Sequence, residues 1–179
     1  MQTVGAHTLY GHDSTSTPTS NLTNYGYLYN WFAVSDVRNI CPTGWRVPSD
    51  SDWNKLVIFA DPAADTSSIS VGQSSIASIK LMSASIWSAP VTGTDNYKFS
   101  VLPGGARYPG THGGTPSYNL GLFVDESIGS FHWTSTNDNS VSPPLAYFRT
   151  ILNLSMTGHS VIRSTEAYEG GGSIRCIKN

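Results

Sequence analysis

Few residues in this 179-residue chain are of types that do chemistry alone. The five histidines are His7, His12, His112, His132 and His159. No two have metal-ligand spacing: His7 and His12 fall in a segment that reads as loop, not at i and i+4 of a helix. There are two cysteines, Cys41 and Cys176. A metal site would need more ligands at close spacing, and a thiol catalyst would need a recognisable partner. A disulfide tying the first third of the chain to its end is the simplest reading, and it implies an oxidising, extracellular setting. Two buried free thiols are the alternative. Thr136-Asn-Asp-Asn139 offers oxygen ligands, but a polar turn is the simpler reading. Serine is so abundant that any Ser-His-Asp coincidence carries no weight. The reading is therefore non-enzymatic, with no catalytic residue, no metal ligand and no cofactor assigned.

The segment Ala146–Arg163 reads differently. Ala146, Phe148, Leu152, Leu154 and Met156 are apolar on one parity, with Thr150 the exception. A strand with that pattern turns one face to the core and one outward. Thr157-Gly158 turns the chain into a return strand. On this reading Tyr147, Arg149, Ile151, Asn153, His159, Val161, Arg163 and Tyr168 form an outward set of aromatic, polar and apolar groups on a rigid frame. Tyr and Arg suit recognition of a protein or glycan. Ile151 and Val161, if exposed, have no solubility reason to be there. An ordinary solvated sheet face is the competing reading.

The elements that must position this face are a few helices and many short strands. Tyr25–Val34 reads as a buried strand running into a short helix. Ser49 or Asp50 can cap a following helix, with Asp50 and Asp52 in its first turn and Trp53, Leu56, Val57 and Ala60 inward. Asp61-Pro62 ends it. A second helix is expected around Ser75–Met82, with Ile76, Ile79 and Leu81 inward. Strands are expected at Tyr97–Leu102, Asn119–Val124, Ser130–Thr136 and Ser173–Ile177, the last carrying Cys176. Arg107–Tyr118 reads as a long loop. Residues 1–24 read as a poorly patterned arm, of which Asp13–Ser20 is a low-complexity stretch that can bury little. Residues 25–179 form the domain, α+β in class.

Composition excludes several functions. Charged residues are 12% of the chain, about half the usual share. Ten Lys and Arg without a basic run leave no footprint for nucleic acid. No apolar stretch approaches the length that spans a membrane, so no membrane insertion is expected. Met1–Tyr10 does not read as a signal peptide, so an export signal would lie upstream or be lacking.

Several segments together resemble the Fibrobacter succinogenes major paralogous domain. They are Tyr27-Leu-Tyr-Asn-Trp-Phe-Ala-Val34, Cys41-Pro-Thr-Gly-Trp-Arg-Val-Pro-Ser49 with Asp52-Trp53, and Phe99–Tyr108 with its Leu-Pro-Gly-Gly core. Trp133-Thr-Ser-Thr136, Ala146-Tyr-Phe-Arg149 and Ser173-Ile-Arg-Cys-Ile177 complete the set in the same order. The resemblance covers about residues 25–179. It departs before Tyr25, and the run Gly170-Gly-Gly172 stands where a single Gly is usual. It implies a C-type-lectin-like fold of two helices, a small antiparallel sheet and long loops. It further implies a ligand-binding module, an adhesin or receptor-binding protein on a bacterial surface or phage virion. Relatives of the fold include trimers, so an oligomer is compatible. A spacer or capping domain without its own ligand is the other reading.

Some members resemble the variable proteins of diversity-generating retroelements, in which adenine-directed mutagenesis rewrites codons of the C-terminal strands. Between Thr134 and Ser173 only Met156, Glu166 and Glu169 lie outside what a randomised AAC codon encodes. That is near proportion for this chain and does not discriminate. The calcium-site tripeptides of sugar-binding relatives are missing. Oxidases of the same fold need reactive cysteines, whereas Cys41 and Cys176 sit at positions that look structural.

Overall fold

The structure is a computed structural model that describes residues 4–12, 19–88, 90–108, 111–112, 115–116, 121–154 and 158–179. The chain begins with β1 (His7–Thr8), α1 (Thr19–Tyr25), β2 (Leu28–Tyr29), α2 (Trp31–Val34) and β3 (Trp45–Arg46). Next come α3 (Asp50–Ala60), β4 (Gly72–Ser74) and α4 (Ser75–Leu81). The rest is strand: β5 (Gly104–Arg107), β6 (Thr111–His112), β7 (Thr115–Pro116), β8 (Phe123–Glu126), β9 (Gly129–Asp138), β10 (Leu145–Leu154), β11 (Gly158–Ala167) and β12 (Ile177–Lys178). Six strands form one sheet in the order β4-β11-β10-β9-β5-β8. Its pairs are antiparallel except β5 with β9, which meet in parallel at Gly105 and Ser130. The mixed α and β class stands, with four helices among the described residues where two were expected.

The α3 helix forms where the capping chemistry demands it. Ser49 accepts from the Asp52 amide, and the Asp52 carboxylate accepts from the Ser49 amide at 2.8 Å, a reciprocal cap. Trp53, Val57 and Ala60 are buried at helical spacing, with Leu56 at their margin. At the other end Asp61 accepts from the Ser74 hydroxyl at 2.6 Å, and Ser74 in turn caps α4 through the Ala77 amide. In α4 the inward residues are Ala77, Ser78 and Leu81, whereas Ile76 is 50% exposed.

Two further expectations change. Tyr97–Leu102 is not a strand: Asp95, Lys98 and Ser100 have positive φ angles, which break an extended run. The Asp95 carboxylate closes this turn by accepting from the amide and hydroxyl of Ser100 at 2.7 and 2.6 Å. Only Val101 bridges, to Met82. The start of the chain packs onto the rest. Within the stretch read as an arm, β1 pairs with β2, Leu9 is buried, and Asn30 binds both Val4 and Ala6. Residues 13–18, most of the low-complexity stretch, lie outside the described residues.

The sheet buries both faces. One packs beneath α3 and α4, where Val57, Ala60, Ala77, Leu81, Met82, Val101, Ile151 and Val161 form a cluster. The other packs Trp133, Ala146 and Phe148 against Trp31, Val34, Cys41 and Val47. Gly172 is required here, because a Cβ would run into the Phe148 ring. Instead its backbone pairs with Tyr29 in both directions, at 2.7 and 2.9 Å. The Cys41–Cys176 disulfide and the β12–β3 pairing of Ile177 with Arg46 then hold the C-terminus against the segment before α3.

Candidate functional site

The register places most of the expected set on one face. β10 and β11 pair Arg149 with Arg163, Ile151 with Val161, and Asn153 with His159, while Tyr147 faces Thr165. That face is not outward: it is the one covered by α3 and α4. Arg149, Ile151, Asn153 and Val161 are buried. The parity was legible, but Phe148 on the alternate parity is buried as well, so apolar pattern alone could not assign the outside. A strand in the middle of a sheet covered on both sides has no solvent face.

The buried polar members of this face form a network. Arg149 donates from Nε to Asp50 Oδ1 at 3.1 Å and from Nη1 to Gln73 Oε1 at 2.8 Å. Its Nη2 reaches Asn54 Oδ1 at 2.7 Å, the Asp50 carbonyl at 3.2 Å, and Asp50 Oδ1. Arg163 takes the other carboxylate oxygen, with Nε to Asp50 Oδ2 at 2.8 Å. Burial pulls the Arg149 pKa down, and the Asp50 charge beside it counters that. One carboxylate thus holds two guanidinium groups beneath the first turn of α3. Both of its oxygens are engaged by guanidinium groups. Asn153 is equally committed, donating to the Ser88 and Val91 carbonyls at 2.7 and 2.8 Å. Sequence reasoning placed Asp50 only at the helix terminus. A buried strand arginine implies a carboxylate partner, and that was the available signal.

What stays accessible is the margin. The Arg163 guanidinium lies 4.4 Å from the centre of the Tyr147 ring, within cation–π range. Arg163 keeps 16% of its side chain exposed, and Tyr147 is half-buried. His159 is also half-buried, but six residues along the strand separate its partner Asn153 from Tyr147, about 20 Å. Tyr168 lies in the opposite layer, its ring stacked on Trp31 at 4.3 Å. The structure therefore brings together Tyr147 and Arg163, and leaves His159 and Tyr168 apart from them.

Below α3, His132 is buried with Nε2 sharing a 2.8 Å hydrogen bond with Ser130 Oγ. Among the described residues its Nδ1 has no partner, nor does the indole N–H of Trp53, whose ring is 5.3 Å away. Burial, with the Arg175 charge adding to it, pushes the His132 pKa down to about 3. Among the described residues no group of three or more His, Cys, Asp or Glu is placed to hold a metal ion.

A family model, the Fibrobacter succinogenes major domain, matches residues 7–178. The chain belongs to this family. The match begins at β1, earlier than the resemblance read from the sequence. No curated protein and no solved structure matches the chain. Within this family member the disulfide fits a secreted or extracellular protein. No helix of the described residues is long and apolar enough to cross a membrane.

Proposed function

We propose that this domain is a non-enzymatic ligand-binding module, an adhesin or receptor-binding unit with a C-type-lectin-like fold, displayed on a bacterial surface or phage virion. The observation that carries this reading is the Tyr147–Arg163 pair, an aromatic ring and a guanidinium 4.4 Å apart on a strand margin. Asp50 fixes Arg163 from beneath, so much of the side-chain entropy that binding would cost is lost already on folding. Tyr and Arg are the residue types that dominate recognition of proteins, and they serve glycans equally. The ligand is a protein or glycan on a cell surface.

A spacer or capping domain is the second reading, and the burial of Arg149, Ile151, Asn153 and Val161 favours it. Retroelement diversification of the C-terminal strands, if it operates, falls on accessible positions such as Tyr147 and His159. Screening the purified domain against glycans and bacterial surface proteins tests the proposal. Tyr147→Ala is expected to weaken any captured ligand about 30-fold with an unchanged melting temperature. A ligand bound equally by Tyr147→Ala and by Arg163→Lys refutes this site, and no ligand at all leaves the spacer reading standing. Sequencing the flanking DNA for a near-copy of the Trp133–Cys176 region that differs at adenines tests diversification.

A further inference from the structure

A second feature lies on the other side of α3, away from the Tyr147–Arg163 pair. Pro48, Trp53, Leu56, Phe99, Arg175 and Ile177 line a cavity of about 150 Å³ between α3 and the C-terminal segment. That volume holds roughly one benzene-sized group. Its walls are mostly apolar, with Phe99 set edge-to-face against Trp53 at 5.8 Å. Its charged members are Asp52 and Arg175; Arg175 is half-buried, its guanidinium 4.3 Å from the Phe99 ring centre.

Among the described residues Arg175 has no ion-pair or hydrogen-bond partner for its side chain. The carboxylate whose charge it feels is Asp95, whose oxygens are occupied by the amide and hydroxyl of Ser100. Asp52 also borders the cavity, but its charge is met by Arg46 at 2.6 Å and by Ser49. Burial without a partner lowers the Arg175 pKa. A guanidinium carries five N–H donors, and its planar fork matches a carboxylate bidentately. A guanidinium free of an ion pair beside an apolar hollow is complementary to an anion with an apolar body.

We propose that this cavity binds a small carboxylate carrying a phenyl or branched aliphatic group, the carboxylate on Arg175 and the apolar group against Trp53, Leu56 and Phe99. The site depends on the disulfide, because Cys176 follows Arg175 and is fixed to Cys41. It is independent of the Tyr147–Arg163 surface, so either site can fail without the other.

Titration of the intact oxidised domain with phenylacetate, followed by the Trp53 indole signal in a ¹H–¹⁵N spectrum, tests it. Phenylacetate is expected to shift that signal saturably. Benzyl alcohol, which lacks the charge, and acetate, which lacks the ring, are each expected to bind at least ~10-fold more weakly. Arg175→Gln, with a dispersed spectrum retained, is expected to lose phenylacetate affinity by the same factor. Absence of saturation by about 20 mM, a range set by what so small a ligand can gain, overturns the proposal. So does benzyl alcohol binding as tightly as phenylacetate. The comparison of the three probes on the unaltered domain decides the matter even where Arg175→Gln does not fold.

Discussion

Acidifying the protein should expose the cost of burying His132. The ring is 5% exposed, packed on Trp53, and its pKa is about 3 against an ordinary 6.5. On unfolding it returns to water and its ordinary value. Between these two values the unfolded chain holds a proton that the folded chain refuses, so unfolding takes up a proton and stability falls as pH falls. Above pH 6.5 neither state is protonated and the effect vanishes. At pH 5 the unfolded ring lies 1.5 units above ambient pH, worth about 2 kcal/mol at 1.36 kcal/mol per unit. This figure hardly depends on the folded value, provided that value stays well below 5.

Many carboxylates also titrate as pH falls, so the measurement must be a difference. His132→Gln keeps an amide able to bond Ser130 and removes the titration. Urea unfolding followed by tryptophan fluorescence, without reductant, gives stability for both proteins at pH 7 and pH 5. The wild type's advantage over the variant should shrink by about 2 kcal/mol across that interval, with unchanged denaturant slopes. A difference constant to within ~0.5 kcal/mol would refute the reasoning. It would mean that the protonated ring finds a partner for Nδ1 inside the fold.

Three further outcomes follow from the packing. Arg149→Met strips the partner from one Asp50 oxygen and the donors from Gln73 and Asn54, and should destabilise by about 3–5 kcal/mol in denaturant unfolding. Replacing Cys41 and Cys176 together with serine opens a link spanning 135 residues, and the chain-entropy estimate is a loss of about 4–5 kcal/mol, measurable by thermal melting. Ile151→Ala, at a fully buried site, should cost about 2–5 kcal/mol, whereas Tyr147→Ala should leave the unfolding midpoint nearly unchanged. Equal effects of these two on stability would reverse the assignment of inside and outside.

What the sequence disclosed was local chemistry. The Ser49 cap, the Asp61-Pro62 stop and the strand after Leu145 are written in adjacent residues, and the structure has α3 and β10 there. The pairing of Cys41 with Cys176 was legible because there was no other partner. The sidedness of β10 was not. Apolar alternation reports that a strand has two different faces, but it cannot report that a helical layer covers the more polar one. Arg149 looked like a surface residue because its partners, Asp50 and Gln73, lie 99 and 76 residues away. The same distance hid the Arg175 cavity, which needs α3, the Phe99 turn and the C-terminal segment to meet.

The placement of Asp50 limits where the sequence of this fold can vary. Its carboxylate sits in the first turn of α3, where a negative charge already suits the helix dipole, and it also meets Arg149 and Arg163. Replacing Arg149 with a neutral residue would leave Gln73 and Asn54 unpaired, and replacing Asp50 would leave two guanidinium groups facing each other. Neither position can vary alone without a cost of several kcal/mol, a large share of a typical domain's stability. Tyr147 has no such obligation: it is half-buried and rests on Arg163 rather than supporting it. On the proposed binding role, variation in specificity would therefore concentrate at Tyr147 and the exposed loop that leads into β10, while Arg149, Ile151 and Asn153 stay constant for reasons of folding.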